Sequence, residues 1–246
     1  MPVSYPYTQY GGIWKLSAAS AAQGAGTWAT PPAIISTNLV VYLNAKNYSG
    51  SGSTWTDASG NGNNATLVNS PTYTSTGGSY FTFNGTNQYA TTSSVSTAKT
   101  NTTIQVWVNV VTPQKGCFVV NGNNDTFSYG VGIGNGNMDT TGSNLIGLQG
   151  GYAWYPTSYT YNSGWQLVSM VLGTSGQLYL YVNDTLQGTF SYAFAGSPSG
   201  GIVIAAETTA LRFFGGSIGA VLFYSTALTQ TQIAQNYTAL RGQYGV

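Results

Sequence analysis

Cleavage of a glycosidic bond by paired carboxyl groups needs one to give a proton and one to attack or to activate water, held across a single bond. Five acidic residues are available for such work: Asp57, Asp125, Asp139, Asp184 and the single glutamate, Glu207. No two of them stand at i, i+2 spacing, where one strand face would carry both. Histidine is absent altogether, which excludes a Ser-His-Asp triad, a Cys-His pair and a His-ligated zinc site. Catalysis is therefore not expected. Calcium takes loop carboxylates and carbonyls, and Asn121 to Asp125 and Asn135 to Asp139 supply oxygens of that kind. One carboxylate per loop makes Asp125 and Asp139 weak calcium candidates, with an Asx turn as the competing role for each. No other metal or cofactor is expected.

Binding is better provided for. Gly151-Tyr152-Ala153-Trp154-Tyr155-Pro156, with Tyr159 and Tyr161 following, gathers aromatic rings between glycine and proline. Flat rings stack on sugar faces or fill protein interfaces, so Tyr152, Trp154 and Tyr155 are candidate carbohydrate contacts on a loop. Burial in a core or a subunit contact is the competing reading. A second aromatic group, Tyr5, Tyr7, Tyr10, Trp14 and Trp28, lies in residues 1–37 around an Ala/Gly stretch that ends at Pro31-Pro32. Ser17 to Gln23 is long enough only for a short helix, which Gly24 and Gly26 stop. This segment reads as an arm, and exposed rings of this size should dock on the chain's own body or on a neighbouring subunit.

The elements that must position these residues are strands. In Thr103 to Val110, Ile104, Val106, Val108 and Val110 share one face and Gln105, Trp107 and Asn109 the other. Leu178, Leu180 and Val182 likewise stand opposite Tyr179 and Tyr181, and Leu39, Val41 and Leu43 opposite Val40 and Tyr42. Shorter strands are expected at Tyr80 to Phe83, Phe118 to Val120, Leu167 to Leu172, Ile202 to Ala205 and Ser217 to Tyr224. Asn/Gly clusters such as Ser59-Gly60-Asn61-Gly62, Asn121-Gly122 and Gly134-Asn135-Gly136 separate them as turns. One helix is expected near the end: Thr229 and Gln232 form a capping-box pattern, Ile233, Tyr237 and Leu240 line one face, and Gly242 is a natural stop. Many short strands without alternating helices predict an all-β antiparallel sandwich.

Composition narrows the partners. Of 246 residues only 4% are charged, with six Lys plus Arg against five Asp plus Glu and a net charge of +1, so an extended nucleic-acid surface is excluded. Hydrophobic residues at 42% are ample for one large core, so the low charge does not signal disorder. Cys117 is the one cysteine, which rules out an intrachain disulfide and makes it a small buried apolar residue by default. Met1 to Tyr10 lacks the basic and apolar regions of a secretion signal, and no run approaches a membrane span. Synthesis in a cytoplasm without membrane insertion is the corresponding expectation.

Several pieces occur together and in a recognisable order: Leu39-Val40-Val41-Tyr42-Leu43-Asn44-Ala45; Trp55-Thr56-Asp57 with Ser59-Gly60-Asn61-Gly62; and Phe83-Asn84-Gly85-Thr86-Asn87-Gln88-Tyr89. Trp165-Gln166-Leu167-Val168, Leu180-Tyr181-Val182-Asn183-Asp184 and Gly219 to Tyr224, leading into Ala227-Leu228-Thr229, complete the set. Over residues 38–246 the chain resembles the laminin-G-like members of the concanavalin A-like lectin/glucanase superfamily, especially those in phage structural proteins. The resemblance implies a two-sheet jelly-roll sandwich with a short C-terminal helix. These pieces read as framework, with Phe83 and Tyr89 packing around a hairpin corner at the Asn84-Gly85 turn. In the arm, Gly12-Ile13-Trp14-Lys15-Leu16 and Ala25-Gly26-Thr27-Trp28 resemble N-terminal segments of virion proteins from marine and cyanobacterial phages.

Taken with the missing carboxylate pair, these resemblances imply a non-enzymatic virion surface protein, such as a fibre, knob or decoration component. Its arm would attach it through Tyr5, Tyr7, Tyr10, Trp14 and Trp28 to other virion proteins, with self-association and contact with host surface polysaccharide. The alternative is a free carbohydrate-binding lectin or adhesin module, and a polysaccharide-degrading enzyme ranks below both.

Overall fold

A strand that is apolar at every second position must bury one face, and a strand apolar on both faces must lie between two covers. The computed structural model resolves this demand with sixteen strands among the described residues, which are 32–93, 95, 100–122, 128–149, 153–192, 198, 200–207 and 211–246. Tyr5, Tyr7, Tyr10, Trp14, Trp28, Asp125 and Tyr152 lie outside them. In chain order the strands are β1 (Leu39–Asn44), β2 (Thr54–Trp55), β3 (Ala65–Val68), β4 (Thr72–Thr74), β5 (Tyr80–Asn84), β6 (Tyr89–Thr92), β7 (Thr102–Val110) and β8 (Gly116–Asn121). They continue as β9 (Tyr129–Gly134), β10 (Asn144–Gln149), β11 (Ala153–Thr160), β12 (Trp165–Leu172), β13 (Gln177–Val182), β14 (Thr185–Ser191), β15 (Ile202–Ile204) and β16 (Gly215–Tyr224).

Two antiparallel sheets result. Sheet A has the order β14-β13-β12-β7-β16-β5-β4, with β1 also pairing β16, and sheet B the order β11-β10-β9-β8-β15-β6-β3-β2. Long β16 serves two partners on one side: Gly215 to Ile218 pair with β5, and Ala220 to Tyr224 pair with β1. The change of partner coincides with a register irregularity against β7 between Ile218 and Ala220. Between the sheets, Ile104, Val106, Val108 and Val110 meet Phe118, Tyr129, Val131, Ile133 and Leu145, with Leu178, Leu180 and Val182 in the same core. The alternation expected of β7 and β13 is thus the observed one, and the opposite face of β7 is buried as well.

That second face is covered by the C-terminal helix α1 (Gln230–Arg241), whose Thr229 and Gln232 close both halves of a capping box. Ile233 and Leu240 are buried, and Tyr237 and Tyr244 stack on Trp107 at centroid separations of 5.7 and 4.6 Å. Gly219 makes room for this, because a Cβ there would strike the Tyr244 ring. Gly242 ends the α-helix but in right-handed geometry, so the chain winds on through a 3₁₀ turn over Gly242–Tyr244 and breaks at Gly245, which has φ 71°. Beneath α1, Asn236 donates to Gln105 (2.6 Å) and to the Tyr224 hydroxyl (2.9 Å), while its carbonyl accepts from the Ile35 amide (2.8 Å). Gln105 in turn donates to Ser169 at 2.9 Å, so the buried polar groups satisfy one another. The compact unit runs from Ala33 to Val246, and Ile34 and Ile35 pack against the same apolar layer as α1.

Three expectations need correction. A β-bulge between Leu39 and Val41 shifts the alternation of β1, so Leu39 lies with Tyr42 toward the helix while Val41 and Leu43 enter the core. Phe83 and Tyr89 do not flank a hairpin. β5 belongs to sheet A and β6 to sheet B, so Asn84 to Gln88 is a corner by which the chain crosses between sheets. The Asn84 carboxamide oxygen caps it by accepting from the amides of Thr86, Asn87 and Gln88. Lastly, Trp154 and Tyr155 sit in strand β11, not on a loop; Pro156 is accommodated because β11 is the edge of sheet B. No helix among the described residues is long and apolar enough to cross a membrane.

Candidate functional site on the outer side of sheet B

Strand β9 reads Tyr-Gly-Val-Gly-Ile-Gly, and its period of two sends Tyr129, Val131 and Ile133 into the core and turns three glycines outward. Something sits directly on those glycines. A Cβ on Gly132 would lie 2.9 Å from the Met138 sulfur and collide with the Gly116 carbonyl oxygen. The β9–β10 loop folds back over its own sheet and buries Met138 on Cys117, with Val120, Ile146 and Leu148 around them and Trp154 against the side. Burial pushes the Cys117 thiol far up, so it is an inert apolar contact.

Among the described residues this apolar patch carries the densest charge. Arg212 forms a two-point ion pair with Asp139, Nε to Oδ1 at 2.8 Å and Nη2 to Oδ2 at 2.9 Å, and turns Nη1 to the carboxylate of Glu207. Lys115 donates to the main-chain oxygen of Asp139 at 2.9 Å. Four of the eleven charged side chains of this chain thus converge on one point, and their charges cancel. Glu207 is fully buried, the Arg212 side chain is 9% exposed and that of Asp139 is 55% exposed, so the cluster runs from interior to surface. The Arg212 guanidinium hydrogen-bonded to it holds the Asp139 carboxyl below the usual range; partial burial opposes this less strongly, and Lys115 assists.

Local backbone explains how these residues meet. After β15 the chain turns at Ala205 (φ 64°), the Glu207 amide donates to Leu211 O, and Arg212 itself has φ 50°. A left-handed arginine costs on the order of 1 kcal/mol, a strain sustained by its ion pairs and by the Cys117 amide donating to its carbonyl at 2.9 Å. The guanidinium carbon lies 4.8 Å from the ring centroid of Trp154, a cation–π contact that fixes the half-buried indole. Leu211, 46% exposed, stands beside it in the chain. The surface so formed has one anchored indole, one exposed aliphatic side chain and one half-exposed carboxylate.

The expected aromatic cluster is divided by the strand. Trp154 faces this outer patch, whereas Tyr155 packs inward on Phe190 (5.3 Å) and Tyr159 packs edge-on against fully enclosed Tyr161 (5.4 Å). Asp139 is committed to Arg212, and the Asx turn of its loop is made by Asn137, which accepts from the amides of Asp139 and Thr140. Among the described residues no three His, Cys, Asp or Glu side chains form a metal cluster. Arg212, Lys115 and Leu211 were missed by the sequence reading. The available signal was a Glu207/Arg212 pair set among Ala205-Ala206 and Phe213-Phe214, since charge in an apolar stretch implies a partner.

The family model described as the concanavalin A-like lectin/glucanases superfamily, of laminin-G type, matches residues 84–234, and the chain belongs to that family. No curated protein matches it in sequence. Among solved structures, it is similar to domain 4 of AbnA, an extracellular GH43 arabinanase from Geobacillus stearothermophilus, solved with arabinotriose: TM-score 0.64, 15% identity, covering 81% of this chain and 98% of that one. Botulinum neurotoxin type C, whose cell entry depends on two ganglioside molecules, gives TM-score 0.65 and 12% identity over 84% of this chain and 52% of the toxin chain. Trypanosoma rangeli sialidase with sialic acid gives TM-score 0.64 and 17% identity over 90% of this chain and 36% of that chain. The shared feature is the sandwich.

Proposed function

We propose that this domain is a non-catalytic carbohydrate-binding module that takes neutral glycans on the outer patch of sheet B. The observation that carries the reading is the half-buried Trp154, anchored by the Arg212 guanidinium that also pairs with half-exposed Asp139, with exposed Leu211 next to Arg212 in the chain. An indole already fixed in place offers a sugar ring a contact with little further loss of side-chain freedom, and each Asp139 oxygen, bound once by Arg212 on a half-exposed side chain, keeps a second lone pair for a sugar hydroxyl. Similarity to an arabinanase domain solved with arabinotriose, a neutral sugar, and to a ganglioside-dependent toxin supports carbohydrate as the ligand class. Neutrality follows from the cancelled charges: Lys115 and Arg212 are matched by Asp139 and Glu207, which gives anionic sugars no net attraction. The two carboxylates share one guanidinium instead of flanking a substrate bond, which supports binding without cleavage.

Calorimetric titration with arabinotriose and neutral trisaccharides of glucose, mannose and galactose tests the reading. Saturable binding that is unchanged between low and high salt, and weakened roughly tenfold or more by Trp154→Ala, is expected. Absence of saturation with every sugar overturns it.

A second reading, display of the module on a phage particle, is favoured by the arm's resemblance to virion-protein segments. In that setting the arm, residues 1–37, attaches the chain to the particle and the sandwich is the displayed body. Co-purification of the full chain with virions, lost on Trp14→Ala with Trp28→Ala, is the corresponding test.

A further inference from the structure

At the opposite edge of sheet B, where β1 meets the loop joining β2 to β3, there is a cleft of about 420 Å³ bounded by Asn38, Leu39, Asn61, Asn63, Val95 and Ser225. Its walls are fixed by a buried carboxylate. Asp57 Oδ1 accepts from the amides of Tyr42 (2.8 Å) and Ser59 (2.9 Å), and Oδ2 from the Ser59 hydroxyl (2.8 Å) and the Asn63 amide (2.9 Å). Four hydrogen bonds thus spend Asp57 entirely on shaping the loop. Two carboxamides of that loop then bind the main chain of β1. Asn61 Nδ2 donates to Leu39 O (2.9 Å) and Val40 O (3.1 Å), and Asn63 Nδ2 donates to Val40 O (2.9 Å).

A carboxamide is planar, with oxygen and nitrogen on opposite sides, so tying both nitrogens to β1 turns both oxygens away from it. Neither oxygen accepts from any donor among the described residues. The side chain of Asn38, exposed on a left-handed residue (φ 58°), also makes no hydrogen bond there. Half-buried Leu39 supplies apolar wall with the almost wholly buried Val95 behind it, and the Ser225 hydroxyl, 3.5 Å from the Asn38 carbonyl oxygen, stands at the exposed rim. Among the described residues the lining therefore offers two carboxamides fixed against β1 with their oxygens unengaged, one free carboxamide, one hydroxyl and an apolar side, with no charged group.

From this we infer that the cleft is a second binding site, one that takes a neutral, hydroxyl-rich ring such as a hexose or pentose unit. Hydroxyl donors match the fixed oxygens, the C–H face of a sugar matches Val95 and Leu39, and the volume lies in the range of small-molecule sites. A cation would need a carboxylate that Asp57 does not have to spare, and an anion would find no positive partner among the described lining residues. The site rests on the carbohydrate reading for its ligand class but not on the Trp154 patch for its position.

Amide chemical-shift mapping of the full chain with arabinotriose and the neutral glucose, mannose and galactose trisaccharides tests this. Saturable shifts are expected at residues 38–41, 61–63 and 225. Asn38→Gly, which keeps the left-handed backbone and removes the carboxamide, should weaken them roughly three- to tenfold. Ser225→Trp, which fills the cleft from an exposed position, should abolish them and leave shifts at the Trp154 patch intact. Shifts confined to residues 139, 154 and 211, or cleft shifts that persist in Ser225→Trp, overturn the second site and leave the proposed function standing. No shift anywhere with any of the sugars overturns both.

Discussion

Over sheet A lies a helix that brings Ile233, Tyr237, Leu240 and the following Tyr244 onto Trp107, whereas over sheet B lie loop segments that set one guanidinium between two carboxylates. The two covers close equivalent faces of the same sandwich by different physics. The helix side is apolar and ring-stacked, with Gln105, Ser169, Tyr224 and Asn236 joined in one network and the Trp107 indole N–H buried without a partner, and it depends on area removed from water. The loop side spends four scarce charges over a small apolar patch, and it depends on geometry that leaves no ion alone. A continuous apolar seal ends its face of the sandwich; a roof of paired ions leaves an indole, an aliphatic side chain and a carboxylate at the surface, which is why the candidate site is there.

Breaking each cover should show the difference. Trp107→Ala is expected to cost the most, about 3–5 kcal/mol by urea denaturation, because it removes a fully buried indole on which two rings stack. The loss should be independent of salt. Arg212→Ala should follow at about 3 kcal/mol, since it strands the wholly buried Glu207 without its partner. Replacing both, Glu207→Leu with Arg212→Leu, should recover most of that loss, and a double variant no better than the single one would show that the pair is not the source.

Proton linkage sharpens the contrast. Burial raises the phenols of Tyr224 and Tyr244 beneath and beside α1 above their ordinary range. They stay protonated in the folded chain while the unfolded chain ionises near pH 10, so stability is full below that pH and falls as pH rises past it. Tyr244→Phe should remove one such contribution, flattening the alkaline decline by up to about 1.4 kcal/mol per pH unit, as read from denaturation midpoints at pH 9, 10 and 11. The loop side fails at the other end. Asp139, held below the ordinary carboxylate range by Arg212, contributes stability that is full above about pH 4 and is lost as pH falls through and below that value. Asp139→Asn should reduce this acid slope by a smaller amount, because the side chain is half exposed and screened.

Much of the fold could be read from local pattern. The β7 and β13 alternations and the Thr229/Gln232 cap are short-range regularities, and each is what the chain forms. The Asn84–Gln88 corner defeated that approach because a side-chain-capped turn looks alike whether it returns a strand to its neighbour or passes it to the other sheet. β9 was overlooked because its outward positions are glycines, which break the apolar run while being required by the loop above. For the site, Trp154 was found for its ring, and its strand position and its separation from Tyr155 were not, since alternation within an edge strand containing proline carries little local signal.

The sequence by itself determined the class of structure and certain sites that cannot be built: strand periodicity dictates a sandwich, and a chain with no histidine cannot assemble a Ser-His-Asp triad or a His-ligated zinc site. Only the tertiary structure decided which side chains meet. Asp139 and Arg212 are 73 residues apart, as far beyond local pattern as Asn236 is from Ile35 at 201. Such pairs arise when sheet order brings distant loops over one face, and desolvation there then forces each charge to find a partner. Periodicity is written in neighbouring residues, whereas partnership is written in the packing.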